Sequence, residues 1–194
     1  MANRTIKSLE GGRTINVGSI GVQELLPNKN GFFDPFLVFH HGYNKVNPEI
    51  PVKQQGVGPH PHRGFSPITF VYKGGVQHRD SRGNEQTVYA GGTQWMNVGM
   101  GMVHSERVPD DIFEHGGEQE ILQVWVNTPA KFKMNQPEYF PLTKEETPSV
   151  TSADGLVQLL VPAGKLENVQ GKIPTMSPVT TIMGEAKKNG FYAF

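Results

Sequence analysis

The sequence predicts an all-β protein, a sandwich or barrel of short strands, and two observations carry that expectation. Its 194 residues are divided at short intervals by 23 glycines and 15 prolines. Between them lie runs rich in Val, Ile, Thr, Phe and Tyr, such as ITFVY (68–72) and GLVQLLV (155–161), and strands bounded by turn residues in this way belong to sandwiches and barrels. A helical period is nearly absent. DDIFEHGGEQEI (110–121) opens with capping residues, but Gly116-Gly117 would break a helix, so a loop is expected there. LTKEET (142–147) is expected to form a single helical turn.

The elements follow in order. Residues 1 to about 30 read as an entry hairpin and edge strand: RTIKSL, then GG, then RTINVGSI. FLVFHHGYN (36–44) reads as a buried strand whose alternation sends His40 and His41 to opposite faces. KVNPEIPVKQQGVGPHP (45–61) is a proline-rich loop without periodicity. From Gly64 to Gly101 each run is closed by a turn: YKGG, DSRGN, YAGG and GMG. EILQVWVNTP supplies a further strand, stopped by Pro129. KFKMNQPEYFPLTKEETPSV (131–150) is polar and proline-bearing and reads as a linker. The expected organisation is a first domain over 1–140, with residues 1–30 free to pair with the C-terminal segment, a linker over 141–153, and a β-rich segment over 154–194. Some forty residues are too few for an independent barrel.

Composition narrows the function. Hydrophobic content of 36% and charged content of 19% are those of a globular chain. Eighteen basic residues balance eighteen acidic ones with no run of like charge, so neither nucleic acid nor an anionic membrane is an expected partner. The absence of cysteine removes disulfides, thiolate nucleophiles and cysteine-based metal sites. No apolar run approaches the roughly 18 residues that span a bilayer, and MANRTIKSLEGGRT lacks a signal-peptide core. A cytoplasmic protein is expected.

GPHPHRGF (58–65) places two histidines one residue apart among prolines. Alternate residues of a strand face one side, and Pro61 biases His60 toward an extended backbone, so His60 and His62 point the same way. Continued inward, that parity puts Ile68, Phe70 and Tyr72 on the histidine face as an apolar lining. HSE (104–106) repeats the spacing with His104 and Glu106, and Met102 lies on their side. Two such pairs on neighbouring strands would place three imidazoles and a carboxylate around one point. That donor set suits Fe(II), Mn, Co, Ni, Cu or Zn, and four ligands on one side of an ion leave positions open, as catalysis requires.

Other residues read as structural. His78 and Asp80 precede the DSRGN turn and are expected at the rim; Gln94, Trp95 and Met96 are expected to pack the barrel, with Trp95 as a substrate platform the lesser reading. Gly99 and Gly101 are expected to turn the chain into the HSE strand, and His115 to be solvated. Arg63 points away from the ligands by parity, which speaks against an isomerase that would need a basic anchor.

GPHPHRGF, HRDSRGN (78–84), GGTQWMNVGMGMVHSE (91–106) and LQVWVNTPAKFKM (122–134) resemble, in this order, the pirin family of the cupin superfamily. The resemblance covers roughly residues 30–140. It implies a cupin double-stranded β-helix barrel of jelly-roll type, followed here by a short, incomplete C-terminal β segment. It also implies one divalent metal ion, Fe(II) first among the candidates, held by His60, His62, His104 and Glu106. Some pirin-like proteins have quercetin 2,3-dioxygenase activity; others are regulators of transcription or partners of metabolic enzymes. Two functions are therefore expected to compete. One is a mononuclear dioxygenase acting on a flavonol-like substrate, with Glu106 as the catalytic proton acceptor. The other is a non-catalytic module whose protein-binding face follows the metal's oxidation state.

Two departures stand out. Ser66-Pro67-Ile68 replaces the Glu-Thr-Val that commonly follows HPHRGF in the family, and the chain stops at KKNGFYAF soon after a second barrel would begin. A short family member or a fragment would both fit, and open strand edges in the latter would favour a homodimer.

Overall fold

The computed structural model describes residues 11–27 and 33–193, with Thr5, Leu9 and Gly31 besides. The first part of the chain forms β1 (Arg13–Val17), β2 (Ile20–Leu26), β3 (Phe36–Val46), β4 (Gly56–His62), β5 (Phe65–Lys73), β6 (Gly75–Asp80), β7 (Glu85–Tyr89), β8 (Thr93–Asn97) and β9 (Met102–Arg107). A short helix α1 (Asp110–His115) leads to β10 (Gly117–Asn127) and β11 (Glu138–Leu142). Five strands follow: β12 (Ser149–Thr151), β13 (Val157–Ala163), β14 (Lys165–Leu166), β15 (Val169–Gln170) and β16 (Thr181–Ala186).

Two sheets make the barrel. One has the order β1-β2-β3-β10-β5-β8-β11 and the other β4-β9-β6-β7, with antiparallel neighbours throughout. They face each other across a cavity of about 190 Å³ lined from both sides. The three-stranded sheet β12-β13-β16 covers the outer face of the large sheet. There Ile68, Phe70, Trp95, Val124 and Val126 form one core with Leu160, Ala163, Ile173 and Met183. Strand β5 is therefore buried on both faces from Ser66 to Val71, which explains the mainly apolar run ITFVY.

Several expectations are corrected. The parity of His60 and His62 does not continue to Ile68 and Phe70, which face the outer core. Gly64, at φ +77, lies in the left-handed region between β4 and β5 and resets the alternation. Thr69 and Val71 face the cavity side instead, and Tyr72 is exposed. Residues 110–115 form a helix rather than a loop: Pro109 precedes it, Asp110 and Asp111 occupy its first turn, and it stops where Gly116 turns to φ +71. The segment 131–150 holds β11, which completes the large sheet, so it is no simple linker. Within 141–153 lie the end of β11, the turn after it, and β12. That turn is helical as expected, with Thr147 N–H bonded to Thr143 O at 3.1 Å and Thr143 and Glu146 capping one another. The loop expected over 45–61 ends early, since β4 starts at Gly56.

Strand β1 pairs with β2 and β2 with β3, so among the described residues the N-terminal hairpin does not pair with the C-terminal segment. RTIKSL lies outside the described residues apart from Thr5 and Leu9. No described helix is long and apolar enough to cross a membrane.

Candidate metal centre

Strands β4 and β9 are neighbours, as the paired histidine motifs require. His60 stands opposite His104 and His62 opposite Met102, while an irregularity after Val57 leaves Glu106 across from Val57. The Nε2 atoms of His60 and His62 are 3.0 Å apart, and the rings of His60 and His62 stand 4.4 and 4.9 Å from that of His104. One nitrogen from each of the three imidazoles falls within a common 4.8 Å. His60 is partly exposed; His62 and His104 are buried. His60 Nδ1 lies 2.8 Å from Gly58 O, which leaves its Nε2 for the shared point.

Charge bookkeeping favours neutral rings. Burial, then the neighbouring His104 and His60, pushes His62 down to about 3, against the pull of Glu106. Burial, then His60 and His78, pushes His104 down to about 3 as well. A neutral imidazole with a free lone pair is what a metal accepts. Among the described residues the buried His104 Nε2 has no hydrogen-bond partner, and a buried polar nitrogen left without one is costly. A cation held by His60 and by the neutral rings of His62 and His104 would give that nitrogen a partner, so the donor set fits a divalent transition metal.

Glu106 borders the same cavity, but its carboxylate stands outside the 4.8 Å group. One oxygen accepts from Thr69 Oγ1 at 3.2 Å and from Gln94 Nε2; the other accepts from Gln123 Nε2 at 3.0 Å. Those three donors belong to one polar row crossing the large sheet. Glu24, His40, Gln123, Thr69 and Gln94 are successive cross-strand partners on β2, β3, β10, β5 and β8, and directly opposed side chains lie on one face. His40 faces the cavity with Glu24 at 3.4 Å, while His41 faces away toward Glu120 at 3.1 Å, the opposite-face arrangement expected.

Behind His104 sits a second layer. His78, expected at the rim, is fully buried; its Nδ1 lies 3.4 Å from His104 Nδ1 and its Nε2 2.9 Å from Asp80 Oδ2. Burial raises the Asp80 carboxyl, but the bonds from His78, Asn84 and the Arg82 backbone outweigh it and hold it below the usual range. The turn role of DSRGN holds too, because Asp80 Oδ1 accepts the backbone N–H groups of Arg82 and Asn84. Trp95 is packed in the outer core, its Nε1 donating to Asn97 Oδ1, so it is no substrate platform. The cavity tryptophan is Trp125, stacked on Phe65 at 4.5 Å and edge-on to His62 at 5.0 Å.

Thr69, Gln94, Gln123, Tyr139 and Trp125 were not singled out as site residues by the sequence. One signal was there: Thr69 and Gln123 are polar side chains inside otherwise apolar runs (ITFVY, LQVWV), and Gln94 directly precedes the apolar pair Trp95-Met96.

The family model described as Pirin matches residues 21–126. The chain belongs to the pirin family. A Pseudomonas aeruginosa relative named "Putative quercetin 2,3-dioxygenase" is 41% identical over 133 residues, covering 68% of this chain and 46% of the relative. Pirin-like protein 2 of Arabidopsis thaliana is 32% identical over 161 residues, covering 83% of this chain and 46% of its own. The chain thus spans about half the length of these curated relatives. A crystal structure of a quercetin 2,3-dioxygenase from Acinetobacter baumannii matches with TM-score 0.79 and 32% identity, over 91% of this chain and 63% of that one. The pirin fold here is the all-β cupin fold, and its histidine trio could hold a metal.

Proposed function

We propose that this pirin is a mononuclear metal-dependent dioxygenase of the quercetin 2,3-dioxygenase type, acting on a flavonol or a similar enolic aromatic. One divalent transition metal, Fe(II) before Mn, Co, Ni, Cu or Zn, would be held by His60, His62 and His104, with Glu106 as the fourth ligand. The observation that carries the reading is the convergence of three imidazoles, two of which, His60 and His62, line a largely apolar cavity. The names of the Pseudomonas and Acinetobacter proteins support it.

A cation at that point supplies a Lewis acid that lowers the pKa of a bound hydroxyl. The chain's own residues supply the rest. Val17, Ile20, Val22, Val57, Val76 and Ile121 line the cavity with hydrocarbon, a surface that suits a flat aromatic and excludes water. Trp125, backed by Phe65, offers an aromatic wall beside His62. Glu106 would receive the substrate's hydroxyl proton on a carboxylate oxygen, and that carboxylate accepts hydrogen bonds from Thr69, Gln94 and Gln123.

Aerobic incubation of the metal-loaded protein with quercetin tests this. Loss of the flavonol absorbance with release of carbon monoxide is expected, and Glu106→Ala should lose both turnover and part of the metal. Absence of turnover with every first-row divalent ion, while metal is demonstrably bound, removes the oxygenase reading.

A further inference from the structure

We propose that Asp80 and His78 are positioning residues that lock His104 in the tautomer with its proton on Nδ1, so that the Nε2 lone pair faces the cation. The inference rests on the reading of His104 as a ligand. Its grounds are the order of partners along a buried line: Asp80 Oδ2, then His78 Nε2 at 2.9 Å, then His78 Nδ1 and His104 Nδ1 at 3.4 Å, then His104 Nε2 with no partner among the described residues.

Each link fixes the next. A carboxylate only accepts, and Asp80 is supplied with donors on both oxygens: Arg82 N–H at 2.8 Å and Asn84 N–H at 3.1 Å on Oδ1, Asn84 Nδ2 at 2.8 Å on Oδ2. His78 must therefore carry its proton on Nε2. Where His78 carries that proton alone, its Nδ1 is an acceptor, and the contact between the two Nδ1 atoms is made only if His104 donates. His104, also neutral, is left with a bare Nε2. The opposite assignment would set two lone pairs against each other at 3.4 Å and bury an unmatched N–H on Nε2, where nothing accepts it. Tyr139 keeps the line straight, since its ring lies flat on His78 at 3.9 Å. The line also begins at the surface, in the DSRGN turn, so an exposed hairpin is joined to a ligand through two buried side chains. The partner of a ligating histidine sets its orientation and basicity.

Asp80→Asn is a sharp probe. The backbone N–H groups of Arg82 and Asn84 would keep the amide oxygen where Oδ1 now sits, turning the amide nitrogen toward His78. A donor there reverses the line and moves the His104 proton to Nε2. Two-bond proton–nitrogen correlation spectra of the metal-free protein read the tautomers directly. Wild type should show His104 protonated on Nδ1 and His78 on Nε2, and Asp80→Asn should invert both. Zn(II) affinity, measured by chelator competition, should fall about 10- to 100-fold in that variant, and its Cu(II) resonance should show fewer coordinated nitrogens. His78→Gln, whose amide oxygen can still accept from His104, should retain more affinity than His78→Phe. A His104 proton on Nε2 in the wild-type protein overturns the proposal whether or not any variant folds, as does unchanged Zn(II) affinity in Asp80→Asn. Wild type with the stated tautomers but no affinity for any divalent metal would support the relay and sink the metal reading instead.

Discussion

The ring of Tyr139 lies parallel to that of His78, with centroids 3.9 Å apart and planes 9° from parallel, and its hydroxyl donates to Gln94 Oε1 at 3.2 Å. One side chain of β11 thus steadies both the histidine behind His104 and the amide that grips Glu106. Burial, then the charges of Glu106 and Asp80, raises the hydroxyl's pKa and keeps it a donor. Tyr139→Phe keeps the stack but leaves a buried amide oxygen short of its partner, a loss of about 1–3 kcal/mol. Urea denaturation should show that decrease; an unchanged midpoint would mean the hydroxyl contributes nothing. Tyr139→Ala, which also leaves a cavity, should lose about 3–5 kcal/mol.

Gly64 separates the histidine face of β4 from the Thr69 face of β5, and it does so at φ +77. An added Cβ would meet nothing closer than Lys133 Nζ at 3.5 Å, so the penalty for Gly64→Ala is conformational. It should be about 1–2 kcal/mol, seen as a lower denaturant midpoint at constant slope. A variant as stable as wild type would show that the backbone here can relax out of the left-handed region.

The metal-free protein should lose stability on mild acidification. His62 and His104 have folded pKa values depressed to about 3 from the ordinary 6.5, so between those values the unfolded chain binds more protons. Stability from keeping them neutral is therefore complete above about pH 6.5 and declines as pH falls toward 3, by at most about 1.4 kcal/mol per pH unit for each ring. Urea midpoints of chelator-treated protein at roughly pH 7 and pH 5 read this window. A flat response would mean the rings protonate freely in the folded state.

The two tryptophans report on opposite walls. Trp125 lies 5.0 Å from His62, whereas Trp95 is sealed in the outer core. In Trp95→Phe the remaining indole should be strongly quenched by Cu(II), and in Trp125→Phe much less. Equal quenching in both would place the bound ion somewhere other than the histidine trio.

Much of this was legible in the sequence because alternation is local physics. HPH and HSE each put their two side chains on one face, and the turn residues marked most strands. What could not be read was where alternation is interrupted. A glycine can continue a strand or reset it, and only the packing of β5 between two cores reveals that Gly64 does the second. The row from Glu24 to Gln94 was hidden for another reason. Its members come from five strands, and their alignment is a matter of register between segments far apart in the chain. Residues 138–142 misled because proline and polar neighbours read as a connector, whereas Tyr139 and Leu142 are drawn in by contacts with β8 and the core.

The middle of β5 is a wall shared by two rooms. Ile68 and Phe70 are cemented to Ala163, Ile173 and Met183 on one side, and Thr69, between them in sequence, holds Glu106 on the other. A bulkier side chain at Ala163, which has no exposed surface, would push on that masonry from behind. The disturbance would surface as a loosened carboxylate in a chamber where no residue had been altered, so sensitivity of the Glu106 site to distant lesions is built into the brickwork.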